Sequence, residues 1–171
     1  MMARSETLIT MSIAIVVHAF SLFMKPVPRL LWNASESVPV GLYSVEAGDQ
    51  LAVTNLVVAM PPNSLATFLD ERGYVPLGVL LIKRVLALRG QSVCRNELAI
   101  SVDGVTMGMA LAHDRQGRPL PVWHGCRAIA QDEVFLMNWD VPASFDGRYF
   151  GPIPLRAIIG RATPLWTLDK P

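Results

Sequence analysis

A lysine set in an apolar strand is the most chemically informative residue of this chain. Lys83 lies in GVLLIKRVLALRG, where the two-residue strand period puts Leu81 and Val85 on its own face. Burial among such neighbours disfavours the ammonium, so the pKa falls and some of the amine is neutral at neutral pH. A neutral lysine beside a serine hydroxyl is the general base that Ser-Lys acyl transfer requires. The competing reading is a strand lysine that snorkels to the sheet edge, with Arg84 pointing the opposite way into water.

Other chemistries find little support. The sequence holds no GxSxG, HExxH or P-loop motif, and no His/Asp/Ser set in a glycine frame. His113 and His124 fall in HDRQGRPLPVWHGC, a polar stretch rich in Gly and Pro that reads as an exposed excursion. His18 sits in an apolar run and implies no metal site. Cys94 and Cys126 are an even pair; in an exported chain they favour a disulfide, which closes a loop worth about 3.7 kcal/mol on the chain-entropy model. The alternative is two buried thiols, and nothing at ligand spacing joins the cysteines into a zinc site. No metal and no cofactor are expected.

The elements that must position Lys83 follow from the rest of the sequence. With 171 residues the chain is sized for one catalytic domain. A net charge of +1 with 17% charged residues gives no basic field for a phosphate backbone, which argues against nucleic acid as a ligand. Leu8 to Met24 carries no formal charge, follows Arg4 and precedes Lys25 and Arg29. That run reads as an export signal or a short membrane anchor, dividing the chain into residues 1–24 and an exported domain of residues 25–171. It is near the short limit for spanning and is followed by no small-x-small cleavage site, so its removal is left open, and the flanking charges do not fix orientation.

Prolines 26, 28 and 39 exclude helix and predict an extended approach that leaves Ser37 on irregular backbone. Strands are expected at Val40 to Val45, Gln50 to Val53, Val79 to Leu88, Ser92 to Arg95, Leu98 to Val102, Val134 to Asn138 and Ala157 to Pro164. Asp103-Gly104 is a two-residue hairpin signal, and Gly48-Asp49 and Arg89-Gly90 punctuate similarly. One helix is expected after the N-terminal run, Asn63 to Arg72, capped by Asn63 or Ser64 and stopped by Gly73. The fold class is therefore mainly β, a folded sheet or small barrel behind an N-terminal apolar helix.

Three segments, in order, resemble the boxes of the bacterial signal peptidase I family of Ser-Lys peptidases. LLIKRVLALRGQSV is similar to its lysine box, NASESVPVGLY to its serine box, and SFDGRYFGPIP to its Ser-x-Asp-x-Arg-x-x-Gly signature. VEAGDQLAV is similar to the strand that follows the serine box. The resemblance implies Ser37 as nucleophile, Lys83 as general base and Asp146 in an orienting position, with Ser35 supporting the oxyanion and Arg148 beside Asp146. The serine box reads SVPVGLY rather than the Met-x-Pro-Thr form of general leader peptidases, and there is one apolar N-terminal segment. Both features, with GRPLPVWHGCR, resemble the conjugal-transfer branch of the family.

That branch implies periplasmic work at the outer face of the bacterial inner membrane, alongside mating-pair or type IV secretion components. The implied substrate is a conjugal pilin precursor of the TrbC type, trimmed and joined head to tail. The alternatives are a general leader peptidase and a non-catalytic pilus-assembly factor. The scissile bond, the cyclic or linear nature of the product and the oligomeric state are not legible in the sequence.

Overall fold

Short apolar stretches broken by glycine turns give antiparallel strands joined by tight connections, and the chain follows that rule. The computed structural model describes residues 2–23, 29–48 and 50–168. A helix, α1 (Met2–Phe23), is followed by β1 (Leu30–Asn33), β2 (Gly41–Glu46), β3 (Leu56–Ala59) and α2 (Asn63–Glu71). Next come β4 (Leu81–Ala87), β5 (Ser92–Asn96), β6 (Ala99–Val102), β7 (Val105–Met109), β8 (Gly125–Ala128) and β9 (Glu133–Leu136). A single helical turn, α3 (Gly147–Phe150), precedes β10 (Ile153–Pro154) and the long β11 (Ile158–Thr167).

The mainly β expectation holds. One sheet runs β1-β2-β11-β3-β4-β9-β10 and a smaller one β7-β6-β5-β8, with every pair antiparallel. Register shifts in β11 at Pro164/Trp166 and Ile158/Gly160, and between β4 and β9 at Val85/Ala87, add twist and curl the larger sheet. Val57, Val85, Val134 and Leu136 form its central core. Leu86, Val93, Ile100, Phe135 and Met137 form a second core shared with the smaller sheet. Asp103 and Gly104, at φ 49° and 82°, make the β6–β7 turn as the sequence requires.

Five points of the sequence reading need correction or addition. Gln50 to Val53 is no strand: the Ala52 N–H donates to Asn55 Oδ1 and Thr54 takes φ 80°, making a turn whose backbone bonds to Val85. The strand of that region is β3, LVVA, which is buried on both faces and so lacks the alternation that marks a strand. Strands β8 and β10 were equally silent, the first because its residues are all exposed. Helix α2 starts where expected, but Pro62 occupies its cap position with no side-chain hydrogen bond, so neither Asn63 nor Ser64 is the cap; Gly73, at φ 68°, ends it.

The apolar N-terminal run is helical as expected from Leu8 to Phe23, and Leu8 to Val17 leave their side chains exposed. Among the described residues no helix is long and apolar enough to cross a membrane. The Gly48-Asp49 turn falls partly outside the described residues.

Candidate active site

The serine loop between β1 and β2 is built around one amide. Asn33, buried at the end of β1, donates through Nδ2 to the carbonyls of Ser35, Val38 and Pro39 at 2.8, 3.1 and 3.1 Å. Its Oδ1 accepts from the Ser35 N–H at 3.1 Å and the Ser35 hydroxyl at 2.9 Å. The Tyr43 hydroxyl holds the Pro39 carbonyl at 2.6 Å. Ser37 is thereby fixed on irregular backbone, half-buried. Its Oγ lies 2.9 Å from Ser35 Oγ, and since the one Ser35 proton is committed to Asn33, Ser37 is the donor of that pair.

Lys83 stands in β4 opposite Val57 of β3, only 4% exposed. Its Nζ donates to Ser144 Oγ at 2.9 Å. Burial brings its pKa down to about 8; the attraction of Asp146 opposes that shift and the Arg148 charge reinforces it. The amine is thus poised near neutrality, as the sequence predicts, and the snorkelling alternative is excluded. Arg84 takes the outward course instead, stacking over Trp139 and approaching Asp140.

Asp146 and Arg148 form a buried pair behind the lysine. Arg148 Nε and Nη2 donate to Asp146 at 2.9 Å each, and Nη2 also reaches the Val141 and Ser144 carbonyls. Asp146 caps α3 by accepting from the Arg148 N–H, and its other oxygen accepts from the Asn138 N–H at 3.0 Å. The short α3 demands Gly147, since a Cβ there would come within 2.6 Å of the Leu136 carbonyl oxygen. Asp146 acts on Lys83 through its field; the lysine's direct hydrogen bond is the one it donates to Ser144 Oγ.

Asn138 joins the two halves. Its Nδ2 donates to the Ser37 carbonyl at 2.7 Å and its Oδ1 accepts from the Arg84 N–H at 2.8 Å, so one side chain sets the serine loop against the lysine strand. Sequence reasoning missed Asn33, Asn138 and Ser144 as site residues. Ser144 was visible as the first residue of the Ser-x-Asp-x-Arg signature; Asn138 carries no local signal because its partners are remote backbone groups, and Asn33 organises its own loop through neighbours two to six residues on, in a pattern that matches no catalytic motif.

Ser35, Ser37, Lys83 and Ser144 line one groove of about 940 Å³, walled by Leu81, Leu111, Leu120, Val141 and Phe145 among others. Ser37 Oγ and Lys83 Nζ face it with their hydrogen bonds to Ser35 and Ser144 rather than to each other. The family model described as signal peptidase, peptidase S26, matches residues 2–166. The chain belongs to the signal peptidase family. Within it, the chain is 34% identical over 151 residues to a plasmid transfer protein TraF of Escherichia coli, covering 79% of this chain and 81% of that one. A conjugal transfer protein TraF of Agrobacterium fabrum is also 34% identical, over 80% and 82% of the two chains. A probable conjugal transfer protein TraF of Sinorhizobium fredii is 36% identical, over 79% and 76%. A solved signal peptidase I from Enterococcus faecalis is 16% identical with a TM-score of 0.40, covering 67% of this chain and 98% of its own.

The remaining sequence candidates of this signal peptidase family member do not line the groove. His113 and His124 are exposed. Cys94 of β5 pairs in register with Cys126 of β8, and their sulfurs are joined in a disulfide in the smaller sheet. Among the described residues no cluster of His, Cys, Asp or Glu is arranged to hold a metal ion.

Proposed function

We propose that the chain is a Ser-Lys peptidase of conjugative transfer that processes a pilin precursor at the outer face of the bacterial inner membrane. One observation carries the reading: a buried lysine with a pKa near 8 opens into the same groove as a half-buried serine on a rigid loop. Neutral Lys83 takes the proton of Ser37 as Oγ attacks the substrate carbonyl. The Ser37 N–H, joined by the Ser35 hydroxyl once it turns from Asn33, stabilises the oxyanion. The lysine then gives its proton to the leaving amine, which leaves an acyl-enzyme.

Water resolves that ester to a trimmed peptide; the substrate's own terminal amine resolves it to a ring, favoured by the high effective molarity of an intramolecular nucleophile. The conjugal setting rests on the relatives' names; the pilin precursor and the transfer-machinery partners rest on the resemblance of the sequence motifs to the conjugal-transfer branch. The periplasmic, membrane-facing location rests on the apolar α1, as an export signal or anchor over residues 1–24, and on the disulfide, which suits an oxidising compartment.

The test is mass spectrometry of a co-expressed pilin precursor with the native enzyme, Ser37→Ala and Lys83→Ala. A product one water lighter than the trimmed linear peptide, absent with both variants, establishes dyad and ring closure. A linear product limits the enzyme to hydrolysis, and unchanged processing by the variants overturns the dyad.

A further inference from the structure

Arg95 is a buried cation with no evident job. It lies in β5 next to Cys94, is 2% exposed, and among the described residues pairs with no carboxylate. Its hydrogen bonds go to carbonyls from three separate segments: Nε to Glu97 in the β5–β6 turn at 3.0 Å, and Nη1 to Pro121 at 3.2 Å and to Arg148 of α3. Its Nη2 is buried without a partner. Burying a guanidinium without a counter-charge is costly, and three carbonyl dipoles offset only part of that cost.

The third carbonyl leads to the active site. Arg148 binds Asp146 and the Ser144 carbonyl, and the Ser144 hydroxyl holds Lys83. Trp123 supports the same turn, donating from Nε1 to the Gly147 carbonyl at 3.0 Å. We propose that Arg95 is a positioning residue for the general base, anchoring α3 so that Arg148 and Ser144 are held at Lys83. The proposal rests on the Ser-Lys reading above and adds to it a control point in the smaller sheet, one residue from the disulfide.

The sign of the effect follows from what faces Lys83: the Ser144 hydroxyl, the Asp146 carboxylate and the Arg148 guanidinium from the 144–148 segment, with Arg84 of its own strand turned outward. Freeing α3 admits water and so relieves the burial that is the largest cause of the low Lys83 pKa. Withdrawal of the Asp146 carboxylate and the Ser144 acceptor works against that change and withdrawal of the Arg148 charge works with it, so that the relief of burial decides the sign and the Lys83 titration midpoint rises.

The experiment is trace acetylation of the full chain with acetic anhydride across a pH series, following the Lys83 peptide by mass spectrometry. It needs no substrate, so it is independent of whether the chain is a peptidase. Arg95→Met is expected to raise the Lys83 midpoint by about one pH unit, and Arg95→Lys by less. Ile100→Val, which trims the neighbouring β6 core, is expected to lose stability without moving the midpoint. If Arg95→Met does not fold, Arg95→Lys decides the matter. An unchanged midpoint in a folded Arg95 variant, or an equal shift in Ile100→Val, overturns the proposal. A shifted midpoint in a chain that cleaves nothing leaves the hold of Arg95 on Lys83 standing and sinks the peptidase reading, and with it the general-base role of Lys83.

Discussion

Lys83 is a stability liability, and the proposed general-base role is what it offers in return. Its pKa is about 8 in the fold against 10.5 for an unperturbed lysine. Between those values the unfolded chain holds a proton that the folded one lacks, so stability rises with pH through that window; below about 8 the penalty is present in full. The difference corresponds to about 3 kcal/mol. Lys83→Met is therefore expected to be more stable than the native chain at pH 7, by about 1–3 kcal/mol, and to lose that advantage as pH approaches 10.5; urea unfolding at the two extremes checks this. In the proposed Ser-Lys mechanism the same group sets the rate: kcat/KM should rise tenfold per pH unit below about 8 and level off above it. Ser144→Ala removes the acceptor that favours the ammonium. Its acid limb should move to lower pH while kcat falls, by about tenfold or more, because the amine loses its orientation; Ser144→Thr should restore both, read from a pH–rate profile. The lysine was legible because its strand is apolar on both sides of it. The serines were legible only through the order of the motifs, since SESVP alone is an ordinary turn.

At the scale of elements, the site is a matter of which strands are neighbours. Lys83 is delivered by β4 from the middle of the larger sheet, Ser37 by the loop leaving its β1 edge, and Asn138, just after β9, crosses between them. Strand β4 and the β6–β7 hairpin could be read from sequence because each has a strong local cause, an apolar run or an Asp-Gly turn. Strand β3 could not, since a short run buried on both faces has no period, and pairing order depends on contacts remote in sequence. Asn138→Ala is expected to leave the sheets intact, to cost about 1–3 kcal/mol through unsatisfied buried groups, and to lower kcat more than it raises KM. Equal unfolding midpoints by circular dichroism with unchanged kcat would show that the serine loop holds its place without it. The disulfide belongs to the same scale: it joins β5 to β8, an exposed strand with little packing of its own. Its reduction is expected to cost about 3–4 kcal/mol, measured by denaturation with and without reductant.

For the whole molecule, the proposed membrane location makes a demand on the surface beyond α1. The β1 edge and the end of β11 meet it. Trp32 and Trp166 stack with ring centroids 5.8 Å apart, yet are 53% and 55% exposed. Leu30, Leu165 and Leu168 around them are also more than half-way or half-way out in solvent. Such a patch, at the edge of the sheet next to the serine loop and near where the chain arrives from α1, has the chemistry of a bilayer interface, where indole rings settle at headgroup depth. It would hold the groove against the surface from which a membrane-borne precursor presents its chain. The other two tryptophans, Trp123 and Trp139, pack against the core of the smaller sheet and serve as internal controls. With vesicles of phosphatidylethanolamine and phosphatidylglycerol carrying brominated acyl chains, the native chain's tryptophan emission is expected to be quenched, and Trp32→Phe/Trp166→Phe is expected to lose most of that quenching while α1 still binds the vesicles. Quenching that survives the double substitution would mean that α1 alone meets the bilayer and that this face of the sheet points elsewhere.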